Sequence, residues 1–328
     1  MIADRSRPRI GTSSLLVFLL CAVALIPAGC GAIGGYGRSL RHDTLTVSGQ
    51  ERTYSLYVPP NLPQDASAPL VFILHGGGGT GKGMVWLTRG GFNLLADKNG
   101  FIVVYPDGMK RHWNDGRTDA GYFAHREKID DVAFVSALIG KLAKEWNIDP
   151  KRVYAAGISN GAMMSFRLAC ELSGSVAAVA AIAGSVPKDI ASTCSPSRPV
   201  PVLIMNGTHD LLVPWSGGYI LPNWGKKFGE VVSVSDTVKL WVAKNGCSPR
   251  PAQSQAPDAD PADGTTVRKE AYGSCREQSE VVLYTVENGG HAWPGGRQYL
   301  PERFIGKTSR DIDACEIIWE FFKRHRRP

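Results

Sequence analysis

Val153-Tyr-Ala-Ala-Gly-Ile-Ser-Asn-Gly-Ala-Met-Met-Ser-Phe-Arg-Leu-Ala-Cys-Glu-Leu172 is the stretch whose reading decides the fold. Val153 to Ala156 reads as a strand and Ala162 to Leu172 as a helix, with Gly157-Ile158-Ser159-Asn160-Gly161 as the corner between them. The pattern G-x-S-x-G is weak alone: with 37 glycines in 328 residues, it arises by chance about 0.3 times. Its setting gives it weight. A serine on a sharp strand-to-helix turn stands clear of the backbone, and the flanking glycines relieve the crowding of that turn. A serine hydroxyl is a poor nucleophile at neutral pH and needs a base within hydrogen-bond reach. Ser159 is therefore a candidate nucleophile whose partners must be sought elsewhere in the chain.

Outward from this corner, short apolar runs alternate with helical patterns. The runs are Leu70 to Leu74, Phe101 to Tyr105, Val176 to Ile182, Val200 to Met205 and, much later, Val281 to Val286. Nearly continuous apolar strands between helices imply a parallel sheet covered on both faces. Two alternating stretches, Thr44 to Val47 and Tyr54 to Val58, read as antiparallel strands ahead of it. Asp130 and Asp131 suit a helix first turn. Val132, Val135, Leu138, Ile139, Leu142 and Trp146 follow as one apolar stripe. Further helices are expected from about Ser235 to Lys244 and Ile312 to Arg324. Ser248 to Gly264, rich in Pro, Ala, Asp and Gln, reads as an exposed loop. The expected architecture is a single-domain α/β-hydrolase fold: a mostly parallel central sheet with helices on both faces, spanning residues 41–328.

In that fold the acid and the histidine follow the serine, in that order. Beyond position 210 the histidines are His291 and His325. His325 sits among arginines at the chain end and reads as a solvated surface residue. His291 lies in Asn288-Gly-Gly-His-Ala-Trp-Pro-Gly295, a Gly-flanked loop directly after a strand, where catalytic groups gather. Of the carboxylates between Ser159 and His291, Asp210 directly follows a strand and is best placed to hold an imidazole; a turn-capping Asp is the alternative. His209 beside it reads as structural. His75-Gly-Gly-Gly-Gly-Thr-Gly-Lys82 also follows a strand. As a phosphate loop it fails, because Gly83 stands where a Mg²⁺-binding hydroxyl is required. As an oxyanion loop it fits, since backbone N–H groups near Gly76 and Gly77 meet a developing negative charge.

The formal charge is +7, with Arg5, Arg7 and Arg9 near the start and Lys323, Arg324, Arg326 and Arg327 at the end. No basic run interleaves with aromatics as a nucleic-acid track does. The arginines precede an apolar run of twelve residues, Leu15 to Ile26, which is short for a membrane span and ordered like a secretory signal. Residues 1–30 are accordingly expected to be a signal peptide, followed by a Gly-rich spacer over 31–40. Cys30 follows small residues, as in a lipoprotein box, although Pro27 departs from that pattern. A lipidated Cys30 with membrane attachment and a simply cleaved signal are the two readings. Export makes disulfides plausible chemistry. Locality pairs Cys170 with Cys194 and Cys247 with Cys275, leaving Cys315 free, although connectivity does not follow from sequence alone. No spacing points to a metal site.

These segments together resemble the poly(3-hydroxybutyrate) depolymerase and feruloyl esterase group of α/β hydrolases, related to carbohydrate esterase family 1. The carriers are Leu74-His-Gly-Gly77, Tyr105-Pro-Asp-Gly108, Trp113-Asn-Asp-Gly-Arg117, Ile129-Asp-Asp-Val-Ala-Phe134, Gly157-Ile-Ser-Asn-Gly161, Asn206-Gly-Thr-His-Asp210 and Gly290-His-Ala-Trp-Pro-Gly295. The resemblance covers about Arg52 to Phe322. It implies a triad of Ser159, Asp210 and His291, and an oxyanion hole from the N–H of Asn160 and of Gly76 or Gly77. It also implies the Cys247–Cys275 bridge and an acyl-enzyme route without cofactor. The polymer-degrading members carry a linker and a separate substrate-binding domain after the catalytic unit; none is expected here, so a soluble oligomeric or small ester is the expected substrate. Feruloyl or acetylxylan esters are the alternative, and a catalytically silent binding lipoprotein is the reading from another class. Trp113 and Trp293, on loops beyond strand ends, are candidate aromatic walls for an acyl group, with ordinary packing as the alternative. A monomer is expected.

Overall fold

The computed structural model describes residues 40–63, 65, 67–221 and 228–328. The leader, Cys30 and nearly all of the spacer lie outside the described residues. The strands are β1 (Arg41–Val47), β2 (Gln50–Tyr57), β3 (Ala68–Leu74), β4 (Ile102–Pro106), β5 (Ile148–Ile158) and β6 (Ala178–Ile182). They continue with β7 (Val202–Gly207), β8 (Gly218–Tyr219), β9 (Glu230–Val231), β10 (Ala252–Gln255), β11 (Thr266–Tyr272) and β12 (Val281–Glu287). Ten form one sheet in the order β1-β2-β4-β3-β5-β6-β7-β12-β11-β10, while β8 and β9 pair separately. The middle six, β4 to β12 in that order, are parallel, and antiparallel pairs close both edges.

The apolar strands serve two cores at once, because successive side chains leave a strand on opposite faces. Leu70, Phe72 and Leu74 of β3 enter one core, and Val71 and Ile73 enter the other. The main helices are α1 (Gly81–Leu87), α2 (Gly91–Asn99), α3 (Asp131–Glu145), α4 (Asn160–Glu171), α5 (Val234–Asn245) and α6 (Ala314–Phe322). Residues of α3, α4 and α5 complete the first core and those of α1, α2 and α6 the second. In α3 the two acids divide their work. Asp130 caps the helix by accepting the Ala133 N–H at 2.9 Å. Asp131 turns inward, buried, to hold Arg52 at 2.5 Å and the Asn114 N–H at 2.7 Å.

Two expectations need correction. The segment 248–264 is exposed as expected, but it contains β10, which pairs with β11 and through it extends the sheet. β10 is the edge strand and β11 lies just inside it; both are largely polar, so no apolar alternation announced them. His325 is buried, not solvated, at 8% exposure. Its Nε2 lies 2.9 Å from Glu280, and its carbonyl accepts the Tyr154 hydroxyl at 2.6 Å. The bridges Cys170–Cys194 and Cys247–Cys275 are formed, and Cys315 is free and buried. Such bridges suit an oxidising compartment. Among the described residues no helix is long and apolar enough to cross a membrane.

Candidate active site

Ser159 ends β5 and caps α4 with φ 57° and ψ −120°. That conformation is strained for a residue with a Cβ, and such strain gathers at functional sites. Its surroundings impose it. The Ser159 N–H donates to the Ile182 carbonyl and its own carbonyl accepts from Met163 N–H, both at 2.9 Å. At Gly161 a Cβ would fall 2.4 Å from the Leu74 carbonyl oxygen, so only glycine lets α4 start this close to β3.

The parallel register sets Ile158 beside Ile182, Ile182 beside Met205 and Met205 beside Tyr284. The ends of β5, β6, β7 and β12 therefore stand along one edge of the sheet. Asp210 follows β7 and its side chain is fully buried. One carboxylate oxygen accepts the N–H groups of Leu212 and Val213, each at 2.8 Å. The other accepts Nδ1–H of His291 at 2.7 Å. Because Nδ1 carries the proton toward a carboxylate, Nε2 of His291 keeps its lone pair. Neighbouring backbone holds the ring in place. His291 N–H donates to Ile305 at 2.5 Å, Gly290 N–H to Lys307 at 2.8 Å, and the Tyr299 hydroxyl to the His291 carbonyl at 3.0 Å. A Cβ on Gly290 would lie 2.0 Å from the Ile305 oxygen.

The Gly-rich loop closes over the same corner. A Cβ at Gly76 would sit 3.5 Å from the Ser159 Cβ, and one at Gly77 3.9 Å from the Asn160 Cβ. His75 is the residue that sequence reasoning left without a role. Its Nε2 accepts Gly108 N–H at 2.9 Å, so its proton sits on Nδ1 and is donated to the Gly76 carbonyl at 2.8 Å. That carbonyl also accepts Gly79 N–H at 2.9 Å. The peptide is planar and trans, so pinning the Gly76 C=O turns the Gly77 N–H the opposite way. Burial pushes the His75 pKa down to about 4, which keeps it neutral and the arrangement intact.

The Asn160 side chain is locked beneath. It accepts Trp113 N–H at 2.8 Å and donates to the Trp113 carbonyl at 2.9 Å and to Asp115 at 2.6 Å. Asp115 is fully buried and also takes Arg117 at 2.7 Å and His125 at 2.9 Å. Burial disfavours its charge, but Arg117 and His125 outweigh that and hold its carboxyl well below the usual range. As the first residue of α4, Asn160 has an N–H with no partner inside the helix. Trp113 and Trp293 are both fully buried. Neither walls a substrate: Trp113 donates Nε1–H to the His75 carbonyl at 2.9 Å, and Trp293 packs edge-on against Phe92. Loop position could not reveal this, because both loops fold back over the core. His209 is exposed beside Asp210. His112 stacks on Tyr122 with ring centres 3.8 Å apart, its edge against Gly77. Among the described residues no group of three or more His, Cys, Asp or Glu stands together to hold a metal ion.

A family model described as Esterase PHB depolymerase matches residues 52–203. A Nocardia uniformis protein bearing the esterase name NocK is 31% identical over 84% of this chain and 80% of its own length. Feruloyl esterase B of Piromyces equi is 32% identical over 73% of this chain and 42% of its length. The solved structure of an acetyl xylan esterase from Aspergillus awamori matches over 86% of this chain and 99% of its own, with a TM-score of 0.57 at 14% identity, a likeness of fold. The fold, the matched segment and these relatives agree: the chain belongs to the PHB depolymerase-type esterases and is a carboxylic ester hydrolase.

Proposed function

We propose that this esterase works through an acyl-enzyme on Ser159, with His291 as base and Asp210 as its partner. The observation that carries the reading is the buried Asp210–His291 hydrogen bond at 2.7 Å, at the sheet edge where the strained Ser159 stands. In the proposed cycle Ser159 Oγ attacks the ester carbonyl while His291 Nε2 takes its proton. Asp210 holds the tautomer and stabilises the imidazolium. The N–H groups of Asn160 and Gly77 receive the oxyanion, Gly77 supplanting Gly76 because its N–H is the one His75 turns outward. His291 then protonates the leaving alcohol, and water releases the acid by the same route. Turnover of a short-chain nitrophenyl ester tests this: Ser159→Ala is expected to remove it, and retained activity overturns the nucleophile.

The substrate reading is a small or oligomeric soluble ester of the hydroxybutyrate kind, which the family's description supports. A feruloyl ester is the second reading, supported by relatives of that name and by the stacked His112–Tyr122 pair against Gly77. Comparing hydroxybutyrate oligomers, methyl ferulate and acetylated xylan separates them. Export is part of the same proposal, supported by the signal-like leader and both disulfides. Labelling with a lipid precursor against a Cys30→Ser control tests the anchor.

A further inference from the structure

A cleft of about 790 Å³ adjoins the His291 loop, and none of Ser159, Asp210 and His291 lines it. One wall is the end of α1, with Trp86 and Arg89. Another is Ala262 and Asp263, ahead of β11. The third is the continuation of the His291 loop itself, at 296–298 and at Lys307, Thr308 and Arg310. The walls are joined: Arg297 N–H bonds the Leu87 carbonyl at 2.9 Å, and the Lys307 carbonyl holds Gly290, one residue from His291.

The cleft gathers four cations, Arg89, Arg297, Lys307 and Arg310, against two carboxylates, Asp263 and Glu302. Arg310 already pairs with Asp260 at 3.2 Å and Lys307 Nζ donates to the Asp263 carbonyl at 2.8 Å, so Arg89 and Arg297 are the cations left for a ligand. Asp263 is already occupied. Its two oxygens accept the N–H groups of Thr265 at 2.6 Å and Arg310 at 2.7 Å. Arg297 lies over the Trp86 ring and uses Nε on the Trp86 carbonyl, which leaves its terminal nitrogens for a ligand. Thr308 lines the cleft, is only 8% exposed, and its buried hydroxyl has no hydrogen-bond partner among the described residues. Buried polar atoms are normally satisfied, so an orphan hydroxyl on a residue that lines the cleft together with Arg89 and Arg297 points to an acceptor supplied from outside.

We propose that this cleft is a subsite for a carboxylate carried on the alcohol portion of the ester, an inference that rests on His291 being the base. His291 must hand its proton to the leaving alcohol, so that portion of the substrate lies on the His291 side. The loop bearing His291 runs on into the cleft wall. Planar guanidinium forks match a carboxylate in geometry as well as charge. Two sources share this chemistry: the free carboxyl end of a short hydroxyacid oligomer, and the uronate of an acidic saccharide.

The test is kcat/KM on matched pairs at low salt, with 3-hydroxybutyrate trimer as free acid against its methyl ester, and an acetylated galacturonate disaccharide against its galactose counterpart. The wild type is expected to prefer the acid member by about fivefold or more in at least one pair, the strength of one well-placed charge pair. The pair that shows the preference names the source. The acid-to-neutral ratio should fall toward one in Arg89→Gln and further in Arg89→Gln/Arg297→Gln, and rise in Glu302→Gln. It should persist in Arg303→Gln, which removes the same charge outside the cleft. Arg89→Gln alone suffices if the double variant misfolds, since no hydrogen bond or ion pair of the Arg89 side chain occurs among the described residues. A ratio near one in both pairs, or one that Arg89→Gln leaves unchanged, overturns the subsite. Absence of turnover even on a neutral nitrophenyl ester would instead overturn the underlying catalytic reading.

Discussion

Asp210 commits both oxygens, one to two backbone N–H groups and one to His291, so its geometry and its charge are separable by substitution. Asp210→Asn keeps the shape but loses the negative partner and the tautomer, and kcat on a nitrophenyl ester should fall by about 10⁴. His75 makes a different kind of contribution. It touches no substrate, but its Nδ1–H fixes the Gly76 carbonyl and through it the Gly77 N–H. In His75→Gln the loop relaxes and one oxyanion donor wanders. The expected result is a kcat about 10² lower with KM nearly unchanged, the loss expected for one oxyanion donor. A raised KM with normal kcat would show that the loop serves substrate binding instead.

At the scale of elements, the site depends on close backbone approaches that only glycine permits. Gly161 lets α4 begin against the carbonyls of Leu74 and His75, at 2.4 and 2.6 Å from where a Cβ would be. Backbone cannot yield as a flexible side chain can. Gly161→Ala should therefore displace the start of α4, costing about 1–3 kcal/mol in a denaturant titration together with most of the activity. Gly290→Ala forces the His291 loop from Ile305 in the same way. Its signature should be greater loss of activity than of stability, because Gly290 meets backbone next to His291, while Trp293 further along the loop stays anchored in the second core. Wild-type kcat with Gly290→Ala would sink the account of how His291 is held.

At the scale of the molecule, acid and reductant are the informative stresses. Burial pushes both His75 and His112 down to about 4 from the ordinary 6.5. The unfolded chain takes up these protons near 6.5 while the folded chain refuses them until about 4. Stability is thus full above about pH 6.5 and falls as pH drops toward 4. Tm measured across that window should decline, less steeply in His112→Gln. The Glu280 carboxyl, which His325 and Arg324 hold at about 2 in spite of burial, gives way in a separate and lower window. The bridges close separations of 24 and 28 residues, each worth about 3 kcal/mol by restricting the unfolded chain. Cys170→Ala/Cys194→Ala should lower Tm by several degrees, and an unchanged Tm would show that the native packing alone suffices.

What the sequence determined by itself is local or ordered along the chain. The apolar runs of the parallel strands, the Gly-Ile-Ser-Asn-Gly corner, and the succession of serine, acid and histidine are all readable, because secondary structure and motif order are one-dimensional properties. Locality along the chain favoured the two disulfide pairs, and the structure forms both, although five cysteines leave connectivity open in sequence alone. The tertiary structure decided everything that depends on what lies across the sheet. It buried Trp113, Trp293 and His325, added the polar strands β10 and β11 at one side of the sheet, and tied Asn160 to Asp115. It also gave His75 its task, by bringing the Gly108 N–H to an imidazole 33 positions earlier. Burial and hydrogen-bond partnership are set by neighbours distant in sequence, and no pattern along one chain segment encodes them.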